Sequence, residues 1–176
     1  MNYIHADMKP NNIMITDDGR VKVIDFGQSC PIGHTKKRIQ GTPDYIAPEQ
    51  VERRVPLTQR TDVFNLGATL YWAVTGRTFP TVMPSNKRRG GAGIELKSSQ
   101  EVILPEELNR NVPPALSRLI MDCCQPNPKD RPADMREIIR RLEVAQHVLD
   151  KNGMTLTGVP VRQEKLYRAG TVGLTS

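Results

Sequence analysis

Between residues 61 and 75 the apolar side chains Val63, Phe64, Leu66, Leu70, Tyr71 and Val74 recur at helical spacing, which predicts one long helix that the rest of the chain must pack against. The Thr61-Asp62 pair reads as its cap and Gly76 as its stop. The run 64–74 is the only long apolar stretch, and it is about half of what a bilayer crossing requires. The chain thus carries no membrane segment, and its 176 residues suffice for one domain, or part of a larger one, that buries roughly two thirds of its unfolded surface.

Around this helix the other elements are short. Residues 13–16 (IMIT) and 21–25 (VKVID) are β-prone runs separated by Asp17-Asp18-Gly19-Arg20, a turn composition that predicts a hairpin. Residues 28–40 are polar and pattern-free, hence a loop, and 77–105 read as an extended excursion with at most a short helix. Its GGAG stretch at 90–93 reads as flexible linker. Pro113-Pro114 opens a helix reaching about Cys124, and QPNPKDRP makes a rigid turn before a second helix over 133–149. From Lys151 onward the tail is weakly patterned and expected to be flexible. The expected fold is mainly α with a short β-hairpin.

Composition removes several function classes. The net charge of +6 resides in Lys36-Lys37-Arg38, Lys87-Arg88-Arg89 and the stretch 136–141, without the interleaved aromatics that stack on bases, so a nucleic-acid partner is not expected. Cys30, Cys123 and Cys124 fit neither a disulfide framework nor metal-ligand spacing and read as reduced, structural thiols. The N-terminus has no basic stretch followed by an apolar run, so the expected location is cytoplasmic.

The stretch HADMKPNN, residues 5–12, crowds polar groups between apolar flanks. A carboxylate and an amide held against a core are costly unless partnered or used. A four-residue turn pairing Thr16 with Val21 sets Asn12 opposite Asp25, with Asp7 at the same end. An amide oxygen and a carboxylate side by side are hard ligands that Mg²⁺ accepts when phosphates complete its shell. An Asx-turn with two solvated charges gives the same spacing.

The order of further motifs is more specific. DFG at 25–27 follows the second strand, GTPDYIAPE at 41–49 follows the polar loop, and TDVFNLG at 61–67 opens the long helix. Together with HADMKPNN they resemble the protein-kinase family, in particular serine/threonine kinases of bacterial type. The resemblance implies that residues 1–150 are the C-terminal lobe of the kinase fold, that the N-terminal lobe is absent, and that 151–176 form a tail. It makes Asp7 the catalytic base, Lys9 the cation beside the γ-phosphate, Thr42 their neighbour, and Asn12 and Asp25 the metal ligands. Lys9, Asn12 and Asp25 would together hold ATP with Mg²⁺. The Lys9-Pro10 pair and Thr42 point to serine or threonine hydroxyls, and the APE segment to a protein substrate rather than a small molecule. Asp62 is implied to accept backbone N–H groups of the catalytic segment, Glu49 and Arg131 to form a buried ion pair, and His5 and Phe26 to pack together.

Two departures stand out. Ala6 replaces the arginine that usually meets a phosphate on the loop, here on Ser29 or Thr35, so the loop is expected to need no phosphorylation. The glycine-rich loop, the strand lysine and the adenine hinge have no counterpart ahead of residue 5. The chain alone is therefore expected to bind ATP weakly, to leave the long helix under-covered and to be weak or inactive. A truncated fragment, a partner chain supplying the missing lobe, or a catalytically inert kinase-like binding module are the alternatives.

Overall fold

The computed structural model describes residues 2–52, 55–85, 93–96 and 102–151. The expected tail and most of the GGAG stretch lie outside them. The long helix, α2, spans Gln59–Thr75, with α1 at Pro48–Val51 ahead of it and α3 (Pro105–Leu108), α4 (Pro114–Cys123) and α5 (Met135–Lys151) behind. α2 starts two residues earlier than expected because Thr58 is its cap: the Thr58 hydroxyl accepts the Arg60 N–H at 3.3 Å while the Thr58 N–H donates to Thr61 Oγ1 at 3.2 Å. Gly76, at φ +69°, ends it and donates its N–H to the Trp72 carbonyl.

The core forms where α2 meets α4. Phe64 and Tyr71 both pack edge-on to Phe79, with ring centroids 6.1 and 5.3 Å away, and Leu116 and Ile120 of α4 close the cluster. On the next face Val63, Leu119, Cys123 and Ile138 bring α5 in. A Cβ on Gly67 would lie 2.5 Å from that of Cys123, so the close approach of the two helices requires glycine here. Along α2 the apolar residues Leu66, Leu70, Trp72 and Val74 are half-buried and Ala73 is exposed. All three cysteines are free and buried, and burial pushes the Cys123 thiol up to about 12, consistent with inert structural thiols.

Among the described residues the strands make three two-stranded antiparallel sheets: β1 (Tyr3–Ile4) with β4 (Cys30–Pro31), β2 (Ile13–Ile15) with β3 (Val21–Val23), and β5 (Val82–Ser85) with β6 (Gly93–Leu96). The last pair lies in the stretch expected to be an excursion without strands.

The β2–β3 register differs by one residue from the sequence expectation. Ile13 pairs with Val23 and Ile15 with Val21, so Thr16 faces Arg20, whose carbonyl accepts the Thr16 N–H at 2.9 Å. Gly19 takes φ +80° and lets the loop close on three residues, Asp17, Asp18 and Gly19, rather than four. Asn12 therefore faces Ile24, which donates its N–H to the Asn12 carbonyl at 2.9 Å, and Asp25 falls one position beyond.

Candidate active site

The first turn of α2 carries the segment of residues 5–12. Asp62 accepts the His5 N–H on Oδ2 at 2.8 Å and the Ala6 N–H on Oδ1 at 2.7 Å. This grip holds Ala6 at φ +62°, a left-handed conformation uncommon for a residue with a Cβ. Burial pushes the Asp62 carboxyl up, against the pull of the two N–H groups and of the Lys36 charge. His5 adds a cross-link: its Nδ1 accepts the Asp7 N–H at 3.3 Å and its Nε2 lies 3.0 Å from the Ile24 carbonyl, a pairing that the Nε2-protonated ring satisfies. Phe26 packs tilted on the His5 ring, centroids 5.1 Å apart, with 65% of its surface exposed.

A second set of groups holds the same segment from the side. Gln50 donates through Nε2 to the Ala6 carbonyl at 2.8 Å, and its Oε1 accepts from the Ala47 N–H and from Asn65 Nδ2, each at 2.9 Å. Asn65 Nδ2 also reaches the Tyr45 carbonyl at 2.7 Å, and the Thr69 hydroxyl, which donates to the Asn65 carbonyl at 2.8 Å, lies 3.3 Å from the Met8 carbonyl. Gln50, Asn65 and Thr69 were not singled out in the sequence. A signal was present: Thr61, Asn65 and Thr69 recur every fourth residue, a polar stripe beside the apolar positions of the helix, and all three are buried.

Within this frame the Asp7 carboxylate is enclosed by hydrogen-bond donors. Its Oδ1 accepts from the Thr42 hydroxyl at 3.0 Å and its Oδ2 from Lys9 Nζ at 2.9 Å. Lys9 Nζ donates to Thr42 Oγ1 as well, at 2.7 Å, so the three side chains form a closed ring. Asn12, buried at the end of the 3-10 turn Pro10–Asn12, donates its amide N–H groups to the Asp7 carbonyl at 2.9 Å and to Oδ2 at 3.4 Å. Asp25 joins this group through its backbone: the preceding Ile24 is bonded to Asn12 and His5, and Asp25 itself turns at φ +61°. Its carboxylate is exposed and accepts the Gly27 N–H at 3.2 Å. Lys9, Thr42 and Asn12 thus all meet Asp7, and Asp25 stands one residue beyond Ile24, which bonds to Asn12.

The chain matches the model of the protein kinase domain over residues 1–147. The chain belongs to that family. Its relatives include two proteins named probable serine/threonine-protein kinases, from Clostridium acetobutylicum and Clostridium perfringens. They are 34% identical over 145 residues and 38% identical over 146, covering 79% and 80% of this chain. The chain spans 21% and 20% of those relatives' own length. The fold of the kinase of Cydia pomonella granulovirus superposes with a TM-score of 0.61 at 19% identity, over 80% of this chain and 50% of that one.

Two kinase-domain features away from the ring also take definite positions. Glu49 and Arg131 form the expected buried ion pair, with guanidinium nitrogens 2.7 and 2.9 Å from the two carboxylate oxygens. On the loop, the Ser29 hydroxyl is buried, whereas Thr35 is exposed.

Proposed function

We propose that this chain carries the phosphoryl-transfer groups of a serine/threonine protein kinase and that residues 1–150 make up the C-terminal lobe of its fold. The observation supporting this most directly is the closed ring of Asp7, Lys9 and Thr42. Asp7 accepts the proton of a substrate serine or threonine hydroxyl, held in line by its bonds to Thr42 and Lys9. Lys9 supplies positive charge where negative charge accumulates during transfer. Serine or threonine residues of a protein are the substrate class that the segment 41–49 suits.

The donor chemistry fits a nucleotide-bound Mg²⁺. The Asn12 amide nitrogen is committed to Asp7, which leaves its carbonyl oxygen available, and Asp25 offers an exposed carboxylate. Both are hard oxygen ligands of the kind this ion takes beside phosphate oxygens. When bound, the ion neutralises charge on the β- and γ-phosphates. Asn12 and Asp25 would hold it, and Asn12 also fixes Asp7.

Transfer of labelled phosphate from Mg-ATP to a generic basic protein, compared between the chain and its Asp7→Ala variant, tests the reading. A loss of about 10²- to 10⁴-fold is expected for removal of a positioned base. Equal incorporation by both would overturn the assignment of Asp7, and no incorporation by either would favour the inert kinase-like module.

A further inference from the structure

The polar loop at 28–40 is pinned at its start. Ile32 donates its N–H to the Asn2 carbonyl at 2.9 Å, Gly33 to that of Leu57 at 2.8 Å, and Leu57 returns one to His34 at 3.0 Å. Beyond His34 the anchoring passes to a side chain. Thr35, Lys37 and Arg38 are exposed, yet Lys36 between them is only 9% exposed. Its Nζ donates back to the start of the loop, to the Gln28 carbonyl at 3.3 Å and to Gln28 Oε1 at 3.5 Å.

An ammonium is costly to bury unless its charge is used. Burial pulls Lys36 down from its usual range, while the negative charges of Asp7 and Asp62 act to hold its proton. Asp7 and Asp62 flank the backbone of Ala6, whose methyl is wholly buried with Cys30 and Leu57. At this point the segment of residues 5–12 offers only a methyl group.

We infer that Lys36 is a positioning residue: its buried ammonium ties residue 36 back to Gln28 at the start of the loop and so orders the approach to Thr42 without covalent modification of the loop. The exposed Thr35 hydroxyl takes no part in this tether. The inference deepens the proposed kinase reading through Thr42, but its test reads loop order rather than phosphate transfer.

The experiment is amide hydrogen exchange on the full chain after phosphatase treatment, for the unsubstituted protein, Lys36→Met, Lys36→Arg and Thr35→Ala. Lys36→Met is expected to speed exchange across residues 28–34 about tenfold or more, while Lys36→Arg and Thr35→Ala remain near the unsubstituted rate. A Lys36→Met loop that exchanges at the unsubstituted rate would overturn the tether. So would a Lys36→Arg loop as fast as the Met variant, because shape rather than charge would then be responsible. Amides of α2 serve as the internal reference for folding. If Lys36→Met speeds these too, competitive acetylation of the unsubstituted chain decides: Lys36 should react about tenfold or more slowly than Lys37, and equal reactivity would overturn the proposal. A chain that shows this exchange pattern but transfers no phosphate would favour the inert kinase-like module and leave the tether in place.

Discussion

At the helical base Arg131 is enclosed completely. Its guanidinium donates to both Glu49 oxygens and to the carbonyls of Arg60, Gln125 and Pro126, at 2.7 to 2.9 Å, and it lies 4.8 Å above the Phe64 ring. At the opposite extreme, the β2–β3 hairpin leaves Ile15 72% and Val21 64% exposed. One region commits every polar atom of a buried cation, and the other commits little apolar surface at all. The chemistry-bearing groups lie between them, Asp7 and Asn12 buried and Asp25 exposed, and reach the base through Asp62 and Gln50. The contrast teaches that the site borrows its rigidity from α2 rather than from the strands beside it.

The largest effect should come from breaking the base. Arg131→Ala would strand the Glu49 carboxylate and three carbonyls in the interior, at a cost of about 3–5 kcal/mol in a denaturant titration. A loss below about 1 kcal/mol would show that water reaches Glu49, and the distinction between base and edge would fail. The next effect concerns the link between the two. Asp62→Asn keeps one acceptor but turns an N–H₂ toward one of the two N–H groups of residues 5 and 6, at a cost of about 1–3 kcal/mol. Amide exchange at His5 and Ala6 should rise more than exchange in α4. A uniform rise would mean that the segment of residues 5–12 has no local dependence on Asp62.

Sequence reading reached the two regions unequally. The α2 pattern was legible because Val63, Phe64 and Tyr71 bury one face of a long helix, and periodicity reports that directly. The grouping of Asp7, Lys9, Asn12 and Thr42 was legible through motif resemblance. Composition could not supply it, since Thr42 lies 35 residues from Asp7. The hairpin register was misjudged by one residue because Gly19 sits at positive φ and shortens the loop, a choice that the four letters DDGR leave open. The β1–β4 pair rests on two residues in each strand, too few for any alternation to register. Lys36 was indistinguishable from Lys37 in a basic run. Only the path of the loop, set by contacts with Asn2 and Leu57, decides which of the two is buried.

The smallest effect belongs to the hairpin itself, and it sharpens the comparison because it is expected to be nearly silent. Ile15→Thr keeps a β-branched side chain in the strand and removes apolar surface that already faces solvent, so the unfolding free energy should change by no more than about 0.5 kcal/mol. The Ile15–Val21 backbone pairing survives the change, and with it the position of Asn12 one strand-length away. Chemical denaturation at several protein concentrations checks this. A loss above about 2 kcal/mol that grows as the protein is concentrated would mean that the hairpin face is covered by a second copy in solution. The edge would then be a second core, and the site would draw its rigidity from both sides.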